Sequence, residues 1–202
     1  MSAAETHRRD GLSTLPSQAK AMIFRWFDPA SREASIASLY GAIVAQARSP
    51  AFYQIYGVPD TVTGRLEMIM LHAVLVLRRL EAENGGGSRE LGQNLFDRFC
   101  RDMDDNMREM GVGDLAVPRK MRRIGEAFYG RQATYGAALS ATDDEAMIAA
   151  LARNVFPVGW KQDGAARLAA YSRRAFEQLV AQDGFEGGDI SFPDPEQVAL
   201  HE

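Results

Sequence analysis

Four aspartates, Asp97, Asp102, Asp104 and Asp105, crowd into one short stretch and are the residues best able to do chemistry. Carboxylates three or four residues apart share a helix face, and such a face can hold magnesium and, through it, a diphosphate. That is the arrangement of a magnesium-dependent prenyl-diphosphate enzyme. The same spacing has a second reading. Asp97 with Arg101, and Asp104 with Arg108, are i,i+4 opposite-charge pairs of the kind that lace a solvated helix face. A prenyl-transfer site also needs a facing acidic cluster, and the candidate is Asp143-Asp144-Glu145. Thr142 to Glu145 already reads as a capping box, in which the hydroxyl and the carboxylate satisfy free backbone N–H groups.

Other chemistry-bearing residues are sparse. His72 is the one histidine in the helical part of the chain. That leaves no Glu-x-x-His pair for a di-iron bundle and no H-E-x-x-H zinc motif. In a stripe with Arg65 and Arg79 it reads as a hydrogen-bonded core or rim residue. Cys100 is the single cysteine, so no intrachain disulfide or multi-cysteine metal site can form. With no histidine near it in sequence, it reads as a rim thiol and not a nucleophile. The glycines 85–87 are followed by no strand–loop–helix pattern and read as a linker. Arg119, Lys120, Arg122 and Arg123 form a short basic run at a helix start. It is either a solvated face or a contact for phosphate, RNA or acidic lipid, on a ribosome or a membrane. None of these residues calls for a metal or a cofactor.

The elements that position these residues are helices. The chain has 202 residues, 46% hydrophobic and 25% charged, enough for one domain with a real core. Its 23 basic and 27 acidic residues give a net charge of −4, which argues against a general nucleic-acid binder but not against a local basic patch, and no sequence-specific nucleic acid is expected as a partner. The most apolar window, Leu66 to Leu77, carries Glu67 and His72 and ends at Arg78-Arg79. It falls short of the roughly 20 apolar residues that span a bilayer. Residues 1–21 lack the apolar run of a secretory signal. The expected location is the cytoplasm.

Residues 1–21 are polar and aperiodic and read as a flexible extension. Met22-Ile-Phe-Arg-Trp-Phe27 reads as a fresh beginning, packed on the core or anchoring to a partner. Asp28-Pro29 opens a helix with Ile36, Leu39, Tyr40, Ile43, Val44 and Ala47 at 3–4 spacing. Ser49-Pro50 opens a short turn that ends at Gly57. The longest helix is expected over about 62–83. It is apolar nearly all round, as the buried centre of a bundle is. Asn84 to Ser88 reads as a flexible loop. A helix over 89–110 shows Leu91, Leu95, Phe99, Met103, Met107 and Met110 on one face, and Gly111-Val-Gly113 stops it. The next helix starts near Pro118, with Val117, Met121, Ile124, Phe128 and Tyr135 inward. A helix with Ile148, Leu151 and Val155 ends at Pro157. The last, capped by Asp163 and closed by Gly184, turns Ala165, Leu168, Ala169, Ser172, Phe176 and Leu179 inward. The expectation is an all-α protein, a single bundle of six to seven helices over 22–183, with flexible tails at 1–21 and 184–202, the second extended.

The stretch from Phe96 to Arg131, FDRFCRDMDDNMREMGVGDLAVPRKMRRIGEAFYGR, resembles the signature of the ubiquinol–cytochrome c chaperone family. Its most specific pieces are Arg108-Glu-Met-Gly-Val-Gly-Asp114 and Glu126-Ala-Phe-Tyr-Gly-Arg131. Met22 to Phe27, Leu39-Tyr40, Gly57-Val-Pro-Asp-Thr61 and Leu71-His72 support it, so the resemblance runs over about 22–156. Pro118 and the N-terminal extension depart from the family pattern, and residues 161–202 match less clearly.

The resemblance implies a non-catalytic, all-helical assembly factor. Its partner would be newly synthesised cytochrome b of the respiratory cytochrome bc complex. It would act at the ribosome or the inner-membrane surface. The client site is expected where the signature is densest, with Met103, Met107, Met110, Val112, Leu115, Phe128 and Tyr129 as contacts. Methionine surfaces repack around varied apolar partners, which suits such a client, although packing in the core is the other reading of that stripe. The glycines at 111 and 113 would allow a turn that brings Met110 close to Phe128. A charge at Met107 or Tyr129 is then expected to abolish capture and leave the fold intact.

Overall fold

Proline sets φ near the helical value and needs no N–H partner in a first turn, so Pro29, Pro50 and Pro195 each stand at the head of a helix. The computed structural model describes residues 29–83, 86–157, 162–182, 185 and 188–200. In chain order these form α1 (Pro29–Ala47), α2 (Pro50–Gln54), α3 (Val62–Ala82), α4 (Gly86–Glu109), α5 (Val117–Leu139), α6 (Glu145–Asn154), α7 (Gln162–Ala181) and α8 (Pro195–Leu200). The described residues contain no strand. Six of the helices have ten residues or more, and the all-α expectation holds.

Helix α3 is the axis of the bundle. Thirteen of its 21 residues are buried, which requires neighbours on several sides. Helices α1, α4, α5 and α7 supply them. Thr61 caps its start by accepting a hydrogen bond from the Gly64 N–H at 3.1 Å. A Cβ on Gly64 would meet the Pro59 carbonyl oxygen, so the chain can enter α3 this tightly only with glycine there. At 24 residues α4 is longer than α3, because residues 86–88, expected in a loop, are already helical. The rest of that loop, 84–85, lies outside the described residues, as do the segment 22–27, the extension 1–21, Asp28 and Gly184.

Helix α4 ends as the glycines predict. Gly111 has φ +77°, its N–H bonds to the Arg108 carbonyl at 2.9 Å, and the Val112 N–H bonds to the Met107 carbonyl at 3.0 Å. This pair of bonds is a Schellman motif, which satisfies two otherwise free carbonyls. Helix α5 then runs back along α4.

The capping box expected at Thr142–Glu145 does not form. The N-cap position falls on Asp144, and Asp143 accepts from the Glu145 N–H at 3.1 Å. Both aspartates are instead tied to α7, Asp144 through an ion pair to Arg173 at 2.5 Å and Asp143 through its carbonyl, which accepts from Arg173 at 3.0 Å. Asp163 lies in the first turn of α7, whose first residue is Gln162.

The C-terminal segment also differs from the expected tail. Residues 188–194 are non-helical, but they are seated on the core, and 195–200 close as α8. The contacts come from distant side chains. Gln46 donates to the Pro193 carbonyl at 2.9 Å, Tyr56 donates to the Pro195 carbonyl at 2.8 Å, and Phe192 meets the His72 ring edge-on at 5.1 Å.

Candidate functional site

The four aspartates of α4 do not converge. Asp97 accepts from Gln93 at 2.9 Å, Asp102 from Tyr40 at 2.7 Å, and Asp104 from Arg108 at 2.6 Å. Asp105 is exposed on the solvent side. Arg108 also binds Asp114. No group of three or more His, Cys, Asp or Glu among the described residues is placed to hold a metal ion. The expected i,i+4 ion pair forms at Asp104–Arg108, whereas Asp97 is bonded to Gln93 and not to Arg101. Asp102 is an inter-helix partner that draws α1 onto α4, and burial first, then the hydrogen bond to Asp102 and its charge, pushes the Tyr40 hydroxyl far above the usual phenol range. Cys100 is half-buried against the core, and burial first, then the Asp97 charge, raises its thiol. A raised thiol is a poor nucleophile at neutral pH.

The opening in the bundle lies between α4 and α5, with the end of α3 as its floor. Leu77, Leu80, Gly92, Phe96, Phe128 and Tyr129 form the apolar part of a cavity of about 400 Å³. Phe96 sits between Phe128 at 5.0 Å and Tyr129 at 5.2 Å, ring centre to ring centre. Phe99 backs Phe128 from below at 5.0 Å. Gly92 keeps the floor low, since a Cβ there would press on a Leu77 methyl at 3.3 Å. The rim is polar. Gln132 donates to Glu81 at 2.9 Å, and Arg78 reaches both Glu81 at 3.4 Å and Ser140 at 3.0 Å. From this rim the depression continues along α5 past Ala133, Gly136 and Ala137. An apolar floor with a few fixed polar groups is the chemistry of a binding cleft.

The structure separates the seven contacts expected from the sequence. Met103, Met107 and Phe128 are buried, and they are the inward stripe that packs α4 and α5 together. Tyr129 is 57% exposed and stands on the groove wall. Met110, 58% exposed, and Leu115, 99% exposed, lie at the α4–α5 turn with half-buried Val112. The turn does not fold Met110 back onto Phe128, which lies eleven residues into α5, roughly 16 Å along its axis. Met107→Glu would thus place a charge in the core, and it is expected to unfold the protein. Arg119, Lys120, Arg122 and Arg123 are all exposed around the first turns of α5, and Arg122 lies 3.8 Å from Glu126.

Three contributors escaped the sequence reading. Phe96 is the centre of the aromatic cluster, and its heptad neighbours gave no sign of an open wall. Leu77 and Leu80 became groove floor only because α4 and α5 diverge above them. The third is the pair Glu67–Arg131, which joins α3 to α5 beside the groove through two bonds of 2.7 and 3.1 Å. Its signal was available, because Glu67 is the one acid in the most apolar window of the chain.

A family model for the ubiquinol–cytochrome c chaperone matches residues 54–187, more than half of the chain. The match takes in α3 to α7, including the last long helix, where the sequence resemblance was less clear. No curated protein matches. A crystal structure of the Cbp3 homolog from Brucella abortus superposes with a TM-score of 0.78 and 38% sequence identity. The alignment covers 88% of this chain and 98% of that one, so the bundle and its groove-forming helices are shared nearly from end to end. The chain belongs to the ubiquinol–cytochrome c chaperone family.

Proposed function

We propose that this chain is a non-catalytic assembly chaperone that holds newly synthesised cytochrome b on its way into the ubiquinol–cytochrome c reductase complex. We place the client in the groove between α4 and α5. Family membership supports a chaperone role, and one observation supports the groove. Phe96 and Tyr129 leave aromatic surface open to solvent between two helices that otherwise bury their apolar stripes. A client built of apolar helices gains by covering that surface, and a polar rim excludes water around it. The cavity volume suits a few anchoring side chains and not a whole helix. Met103 and Met107 support the wall from inside and do not touch the client.

Tyr129→Asp tests this. Its exposure predicts a melting temperature within a few degrees of the wild type. Loss of an aromatic anchor commonly costs about 2 kcal/mol or more, so capture of cytochrome b should weaken at least about thirtyfold. Affinity capture from the native cells and crosslinking on the same preparations provide the readout. A folded Tyr129→Asp protein that captures cytochrome b normally would place the client elsewhere.

A further inference from the structure

The α4–α5 turn carries a surface that the groove does not use. Leu115 has 99% of its surface in water and Met110 58%, and they flank the Schellman turn at one end of the bundle. Two large apolar side chains held out by an ordered turn gain nothing in the isolated protein. Beside them begins α5, where Arg119, Lys120 and Arg123 occupy one flank within an arc of about 100°. All three are exposed, and among the described residues no carboxylate pairs with them. The acid of α5, Glu126, lies one turn beyond Arg123 on the same flank, where Arg122 engages it at 3.8 Å. Asp104 and Asp114 at the same turn are both taken by Arg108. Glu109 at the end of α4, and Asp105 one turn before it, are the remaining exposed anions nearby. Tyr129 and the groove are about 18 Å further along α5.

We propose that this tip docks the protein on an anionic lipid bilayer. Leu115 and Met110 enter the boundary between headgroups and acyl chains, and Arg119, Lys120 and Arg123 sit among the lipid phosphates. Exposed apolar side chains next to unpaired cations match that interface, since each element finds its own layer. Nucleic acid would use the cations but would give Leu115 nothing, so the fully exposed leucine decides for the bilayer. No helix among the described residues is long and apolar enough to cross a membrane, so attachment through the tip would be peripheral and reversible. The inference does not depend on what the groove holds. It orients the groove, whose Tyr129 lies about two to three helix turns along α5 beyond the cations that would meet the headgroups.

The test is co-sedimentation of the full chain with vesicles of phosphatidylglycerol and phosphatidylcholine, and with phosphatidylcholine alone. The wild type should sediment with the anionic vesicles, and added salt should weaken it. Each basic residue near such a surface contributes roughly a factor of five, so Arg119→Gln, Lys120→Gln and Arg123→Gln together should weaken binding about a hundredfold. Leu115→Asp should weaken it at least about tenfold, with melting unchanged in both variants. In Leu115→Trp, the added fluorescence should shift to the blue and be quenched by brominated acyl chains. The inference fails if the wild type stays in the supernatant, or if either variant binds as well as the wild type. It fails equally if the triple variant loses binding to a generic RNA while Leu115→Asp binds vesicles normally, which would mark a nucleic-acid surface.

Discussion

Arg131→Met is expected to lower the melting temperature by roughly 6–20 °C. Glu67 has only 6% of its side chain in solvent, and Arg131 covers both of its carboxylate oxygens in a two-bond fork. Removing the guanidinium leaves a carboxylate in an apolar helix with no partner, and breaking a buried pair from one side typically costs about 3–5 kcal/mol. In a chain of this size each kcal/mol moves the transition by about 2–4 °C. The pair as a whole contributes far less than that figure, because both charges were desolvated to make it. Glu67→Leu combined with Arg131→Met should therefore recover most of the loss, and the thermal melts of the two singles and the double give the coupling directly. A single variant as stable as the wild type would show that the pair does not hold α5 on α3. The site depends on this bond as well. Arg131 is two residues from Tyr129 and adjacent to Gln132, both of which line the groove, so loosening α5 from α3 is expected to disturb that wall.

How much of this was legible in the sequence can be judged helix by helix. The burial of α3 followed from side chains that are apolar on nearly every face, since such a helix has no stable place except the centre. The Leu91, Leu95, Phe99, Met103 and Met107 spacing identified the inward stripe of α4, so Met103 and Met107 pack in the core, whereas Met110, expected in the same stripe, is left exposed at the turn. Periodicity says which face of a helix is covered. It does not say where two covered faces part, and the groove is such a parting. It takes its lining from three helices, at residues 77–81, 88–96 and 128–132, and none of those stretches is unusual alone. The capping box failed for a similar reason. Local chemistry favoured Thr142, but Arg173, some thirty residues away, engaged Asp143 and Asp144. The C-terminal segment looked structureless because its partners are side chains, Gln46 and Tyr56, that lie more than a hundred residues earlier.

Stability should fall on acidification below about pH 6.5, by roughly 3 kcal/mol at pH 4, through His72 alone. The ring is fully buried, and desolvation pushes its pKa down to about 4, with the Met68 carbonyl opposing the shift. A ring whose pKa is held that low is neutral at pH 7, and its hydrogen bonds suit that form. Nδ1–H donates to the Met68 carbonyl at 2.7 Å, so Nε2 must accept, and the Tyr171 hydroxyl donates to it at 3.0 Å. The Tyr171 oxygen in turn accepts from Gln46 at 2.8 Å, and the same Gln46 amide holds the C-terminal segment at Pro193. A proton on Nε2 would set two donors against each other and take from the Tyr171 hydroxyl proton its acceptor, in a pocket walled by Phe52, Tyr171 and Phe192. The unfolded chain takes up that proton near pH 6.5, and the folded chain resists until about pH 4. Between those values the unfolded state binds more protons, so stability is complete above 6.5 and drains as pH falls. His72→Gln removes the titration, and its stability between pH 7 and 4 should decline less than the wild type by about that amount. Ring proton resonances give an independent reading. Among the three histidines of the chain, the His72 signals should stay unshifted until the pH nears 4. A His72 that titrates near 6.5 in the folded protein would show that water reaches the ring and that the C-terminal segment does not seal it.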